Sequence, residues 1–174
     1  MFESCVLGVD PGVARLGLAV VTRRGRSTVL DRADTVVTPS GLEEAARLRL
    51  LAAAIRQAIA AHHPDVVAVE RVAWNRNQVS ALQVARATGA VMVVASEAGL
   101  RVHEYGPNEV KQAVTGQGNA DKAQVQRALT RLHGLRDVPS KGDAADAVAV
   151  ALTHLLAARM RGMPVRTAAR VGSR

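Results

Sequence analysis

Two carboxylates three residues apart, Asp143 and Asp146, open the stretch "SKGDAADAVAVALTHLL", which otherwise runs into alanine, valine and leucine. At helical spacing they share one face. Two further acids close short apolar runs: Asp10 ends "CVLGVD" just before Pro11-Gly12, and Glu70 ends "VVAVE". Four carboxylates in one pocket repel one another, and a hard divalent cation, Mg²⁺ or Mn²⁺, relieves the conflict through oxygen ligands. Two such ions about 4 Å apart activate a water and stabilise the leaving oxygen of a phosphodiester. The chemistry this set points to is metal-assisted hydrolysis of a nucleic-acid backbone.

Taken singly, most of the four have plainer uses. Asp10 before Pro-Gly suits a turn. Glu70 suits an exposed strand end paired with Arg71 or Arg76. Asp143 suits a helix cap or first-turn acid. Asp146 does not fit so easily, because alanines flank it and Val150 lies one turn on. An acid on an apolar stripe needs a partner or a metal.

The elements that must position these acids follow from hydrophobic pattern and turn signals. "CVLGVD" is a buried strand; "RLGLAVVT" and "STVLDRADTVV", joined through "RRGR", complete a three-stranded meander. Ser40 and Glu43 form a capping box, and the helix it starts runs to about Ala61, with Leu48, Leu51, Ala52, Ile55 and Ile59 on one face. "VVAVE" is the fourth strand. A second long helix spans about Asn77–Ala98, with Val79, Leu82, Ala85 and Met92 near helical spacing and Gly99 as its stop. "RVHEY" is a short fifth strand, and Pro107 opens a short helix. "ADKAQVQRALTRLHG" is a further helix ending at Gly134, and the helix carrying Asp143 and Asp146 comes last.

This order predicts an α/β fold with a mixed sheet covered by helices. If the first and fourth strands are parallel neighbours, Asp10 and Glu70 emerge at one sheet edge, where α/β folds place their ligand sites. One domain over residues 1–160 is expected, followed by a basic, mobile tail over 161–174.

Composition sets the surroundings. A chain of 174 residues buries roughly two-thirds of its unfolded surface. Hydrophobic residues make up 48% but aromatics only 2%, so the core is aliphatic. The lone cysteine, Cys5, cannot form an intrachain disulfide and suits a reducing compartment. With no signal-peptide pattern and no uncharged apolar run of the ~20 residues that span a bilayer, a cytoplasmic protein without a membrane partner is expected. The formal charge of +8 calls for a polyanionic partner, nucleic acid first. A generally basic protein accounts for the charge as well. Of 23 basic residues only Lys111, Lys122 and Lys141 are lysines.

"LGVDPG" with "GLAVV", "VVAVERV", "VKQAVTGQGNADKAQVQ" and "DAADAVAVALTH", in that order over about residues 4–157, closely resemble the RuvC family of bacterial Holliday-junction resolvases. The resemblance implies an RNase H-like fold with a mixed five-stranded sheet flanked by helices. It implies a homodimer that nicks four-way DNA junctions symmetrically with Mg²⁺ or Mn²⁺, two ions per site, alongside the RuvA and RuvB branch-migration proteins. The family's metal-binding acids fall on Asp10, Glu70, Asp143 and Asp146, and its functional basic residues on Lys111 and Lys122. Retaining lysine there in an arginine-biased chain suits a compact ammonium at a phosphate. The family commonly has Phe three residues past the strand-end Glu to stack on junction bases; here that position is Ala73, and Trp74 is expected to stack in its place. Arg76, Arg86 and Lys141 are expected at the DNA backbone. Gly89 permits either a close helix–helix approach at a dimer contact or packing within the chain.

Three other functions compete: an RNase H-like nuclease of the group implicated in ribosomal RNA maturation, acting on structured RNA; half of an actin-like kinase, for which the chain is too short; and a non-catalytic junction-binding module.

Overall fold

The run "CVLGVD" is apolar up to its last residue and meets Pro11, which has no N–H to extend a ladder, so a strand forms and stops there. The computed structural model of the chain describes residues 4–71 and 78–160. In it β1 (Ser4–Asp10), β2 (Arg15–Arg24) and β3 (Ser27–Val37) make an antiparallel meander. Then come α1 (Glu44–His62), β4 (Val66–Glu70), α2 (Gln78–Glu97), β5 (Arg101–Tyr105), α3 (Pro107–Thr115), α4 (Lys122–Arg127) and α5 (Asp143–Met160). A π-helical turn, Ala128–Leu132, prolongs α4. The five strands form one mixed sheet in the order β3-β2-β1-β4-β5, with β4 parallel to both β1 and β5. This is the element order and sheet type expected from the sequence.

Side chains alternate across the sheet, so each strand contributes to two cores. Leu7, Val9, Leu18, Val20, Val67 and Val69 point to the layer formed by α1 and α2. Val6, Ala19, Val21, Val66 and Ala68 point to the layer formed by α5, flanked by α3 and the α4 region. From Ala147 to Leu155 every residue of α5 is buried. It lies very close to the sheet because Gly8 and Gly17 give it room. A Cβ on Gly8 would collide with the Ala147 carbonyl and the Ala151 methyl, and one on Gly17 with the Asp143 carbonyl.

Three details depart from the expected elements. α1 begins at Glu44 with Glu43 at its cap and no side-chain cap bond, so Ser40 and Glu43 do not form a capping box. The Leu42 amide bonds to the Pro39 carbonyl at 3.3 Å, closing a Pro-x-Gly turn that takes those residues out of the helix. The predicted inner face of α1 holds, with Leu51 and Ile55 fully covered and Leu48, Ala52 and Ile59 packed beside them.

On α2 the expected face is the wrong one: Val79, Leu82 and Met92 are exposed, and Ala87, Val91, Val94 and Ala95 are buried. Apolar residues stand on both sides of this helix, and the smaller set is the one buried in the core it shares with α1. Val79–Glu97 is also long and apolar enough, by length and composition, to cross a bilayer, although Arg86 and Glu97 are charged. Finally, the helix after Asp121 is not uniform: its π turn bonds the His133 amide to the Ala128 carbonyl at 3.0 Å and brings Leu129 fully into the core. It ends at Gly134, whose φ of 68° suits glycine.

Replacing Gly17 by Ala is expected to destabilise the protein by roughly 1–3 kcal/mol through overpacking against α5. The urea midpoint should fall, with the slope of the transition unchanged.

Candidate functional site

Strand parity decides where the sheet acids point. In β1, Val6 and Gly8 face α5, and two residues on so does Asp10. In β4, Val66 and Ala68 face α5, and two residues on so does Glu70. The strands are parallel and in register from Val6 against Val66 to Val9 against Val69, so Asp10 and Glu70 end them side by side. Across the other ladder Asp10 pairs with Gly17, the residue beneath the Asp143 carbonyl. The close approach of α5 therefore delivers its first turn, with Asp143 and Asp146, to the end of the sheet where Asp10 and Glu70 emerge.

Capping does not account for Asp143. The cap carbonyl belongs to Gly142 (φ 93°), which accepts from the amides of Ala145 at 3.0 Å and Asp146 at 3.2 Å. Asp143 instead accepts from Arg15 Nε at 2.7 Å, and Asp146 from Lys122 Nζ at 2.9 Å. Glu70 is not paired with Arg71, whose guanidinium reaches the Glu104 carbonyl and Glu109.

The charges are in conflict. Burial, then Glu70, Asp146 and Asp143 in turn, push the Asp10 carboxyl up to about 7, with Lys122 opposing them. Burial and then Asp146 raise Glu70 above the ordinary carboxylate range, against the pull of Lys122 and Lys111. The hydrogen bond and charge of Asp146 raise Lys122. That ammonium remains 83% exposed, so the pair is screened and stabilises little.

Among the described residues no three His, Cys, Asp or Glu side chains form a ready-made ligand cage. Arg15 and Lys122 engage the two helix acids, and the two sheet acids carry raised pKa values. Hard oxygen donors whose ionisation is disfavoured by their neighbours are what a divalent cation satisfies, so the residues fit such an ion. Asp10, Glu70, Asp143 and Asp146 would hold it.

Lys111 and Lys122 line, with Glu70 and Asp146, a hollow of about 230 Å³ between α3, α4 and α5. Lys141 is exposed in a neighbouring groove. Arg86 is engaged by Glu44 of α1 at 2.6 Å, a partner not foreseen from sequence. Trp74 and Arg76, like the tail over 161–174, lie outside the described residues. Arg15, Gly8 and Gly17 were missed as site-building residues. No local signal marks Arg15, but a glycine inside an apolar strand is a sign of close backbone approach, and "VLGVD" and "RLGLA" both carry it.

The family model of the crossover junction endodeoxyribonuclease RuvC matches residues 6–154. The protein of that name from Mycobacterium avium is 46% identical over 156 residues, 89% of this chain and 83% of its own. The one from Rubrobacter xylanophilus is 41% identical over 158 residues, 91% and 88% of the two chains. Thermus thermophilus RuvC, solved in complex with a Holliday junction substrate, superposes with a TM-score of 0.85 at 38% identity, covering 91% of this chain and 96% of that one.

The raised Asp10 pKa carries a stability cost with a defined pH window. Between its ordinary value of 3.8 and about 7 the folded state holds a proton the unfolded chain has released, so stability falls as pH rises through that range. Asp10→Asn removes this loss. In chelator-containing buffer the variant is expected to melt above the wild type at pH 8, with the gap shrinking towards pH 4, as followed by thermal unfolding.

Proposed function

The chain belongs to the RuvC family of crossover junction endodeoxyribonucleases, and from that premise we propose how its residues carry out the reaction. The protein is an RNase H-like, metal-dependent nuclease that resolves Holliday junctions in DNA recombination and repair. The observation that carries the mechanism is the meeting of four acids from three elements at one end of the sheet, with Lys111 and Lys122 beside them.

In this reading Asp10, Glu70, Asp143 and Asp146 hold Mg²⁺ or Mn²⁺, two ions per site. The bound cations supply Lewis-acid activation of water and of the scissile phosphodiester. Asp10 must lose its proton for the set to bind them, and near neutral pH it does so readily. Arg15 and Lys122 each engage one helix acid and hold it aimed across the cleft. Lys111 and Lys122 hold the phosphate strand and counter the negative charge that develops during displacement. Lys122 is the first residue of α4, where the helix dipole disfavours a cation, so its place there serves the site rather than the helix. Trp74 stacks on a junction base, and Arg76 and Lys141 contact backbone phosphates, whereas Arg86, on the exposed side of α2, is held by Glu44.

A four-way junction has approximate two-fold symmetry and must be cut at two equivalent places, which suits a C2 dimer. Its contact is the exposed apolar side of α2: Val79, Leu82 and Val93, with Gly89 in open space among them. Action beside RuvA and RuvB in the cytoplasm, and a basic tail over 161–174 that adds to DNA attraction, belong to the same proposal.

A mobile synthetic four-way junction is expected to be nicked in symmetric pairs with Mg²⁺ or Mn²⁺, and structured RNA left intact. Excess chelator or Asp146→Asn should stop cutting while junction binding on a native gel persists. Lys122→Ala should slow cutting about 10²-fold. If wild type and Asp146→Asn both bind junctions and neither cuts, the catalytic reading fails. Val93→Glu, on the exposed side of α2, is expected to convert a dimer to a monomer in sedimentation and to uncouple the paired cuts.

A further inference from the structure

The block "DKAQVQ" has one polar residue left without a role. Asp121 and Gln124 cap α4 reciprocally, each side chain bonding the other's backbone amide at 2.7 Å. Lys122 meets Asp146, and Val125 packs partly buried against the core. Gln126 remains, and with Lys122, Val125 and Leu129 it lies on one side of the helix at spacings of three, four and seven residues. That side faces a second groove of about 650 Å³, closed opposite by Lys141, Gly142 and Ala145. The groove and the active-site hollow share Lys122, Val125 and Asp146, so the Lys122–Asp146 ion pair is the sill between them.

The walls of this groove differ in chemistry. Its floor is apolar, with Val125, Leu129 and Ala145. Its rim is cationic, with Lys141 and Arg127. Gln126 supplies a carboxamide, which has both a donor and an acceptor end. Gln126, Arg127 and Lys141 make no side-chain hydrogen bond or ion pair with another described residue. An apolar floor suits the face of a base, a carboxamide suits its edge, and a cationic rim suits the phosphate that follows. A strand whose phosphate lies in the active-site hollow would have its next nucleotides at this sill.

We propose that the groove between α4 and the start of α5 is a nucleotide subsite that takes one base of the cut strand, within two positions of the scissile phosphate, with Gln126 reading its edge and Lys141 holding its phosphate. The proposal rests on the nuclease reading above and adds to it a base-specific contact.

The test is an abasic scan. Four-way junctions lacking a single base at each of the three positions on either side of the cut are compared with the intact junction, in single-turnover cleavage with Mg²⁺, for wild type, Gln126→Ala and Lys141→Ala. One position within two of the cut should be sensitive in wild type, with cutting slowed roughly tenfold. At that position Gln126→Ala should cut intact and abasic junctions at the same rate. Lys141→Ala should slow cutting of both while keeping their ratio. The subsite is overturned if no position is sensitive, or if the sensitive position is equally sensitive in Gln126→Ala. Failure of wild type to cut the intact junction overturns the nuclease reading instead, so the two failures are distinct.

Discussion

Backbone meets backbone where α5 crosses β1 and β2, and the geometry of the site depends on that contact. Gly8 and Gly17 leave no side chain between helix and sheet, and the helix answers with Ala147 and Ala151. Larger residues would push α5 off the sheet and carry Asp143 and Asp146 away from Asp10 and Glu70. The alanine-rich composition of this helix is therefore a matter of distance as well as propensity. Its complete burial over Ala147–Leu155 then holds the two carboxylates on a rigid element.

The same contact creates the electrostatic problem. Bringing α5 down onto the sheet removes water from Asp10 and Glu70 and sets them against the helix acids, and both carboxyls respond by holding protons more tightly. Arg15 and Lys122 offset part of the charge, each engaging one helix acid and neither engaging a sheet acid directly. The arrangement leaves a local deficit of positive charge, which a divalent cation makes good. It also gives the lysines a meaning: two of the three in an arginine-biased chain stand at this cleft.

Much of this was legible from residue order. Asp10 and Glu70 could be assigned to strand ends because apolar runs stop at them, and Asp146 stood out because nothing on its own helix could satisfy it. Residue order leaves the parallel pairing of β1 and β4 open, and the register shows it. What periodicity could not decide was which of two apolar faces is covered. On α2 the larger side chains suggest the core, yet the smaller set, Ala87, Val91, Val94 and Ala95, is the one buried, in the layer it shares with α1. Nor could pattern place Arg15 against Asp143, since that pair joins residues 128 positions apart and exists only once α5 is seated. The glycines of β1 and β2 were visible as anomalies; their meaning lay in the partner helix.

The contrast between the two sides of the cleft has a mechanical consequence. One side, the sheet with α5 pressed into it, cannot shift without backbone collision. The other side is α4, a six-residue helix with no buried residue of its own, continued by a π turn and anchored through Leu129 and Leu135. Local opening concentrates where apolar contacts are few. The protein thus works as an anvil and a jaw. Adjustment to the shape of an incoming strand falls to α4 and its Lys122, while the acids on the anvil stay where the glycines put them.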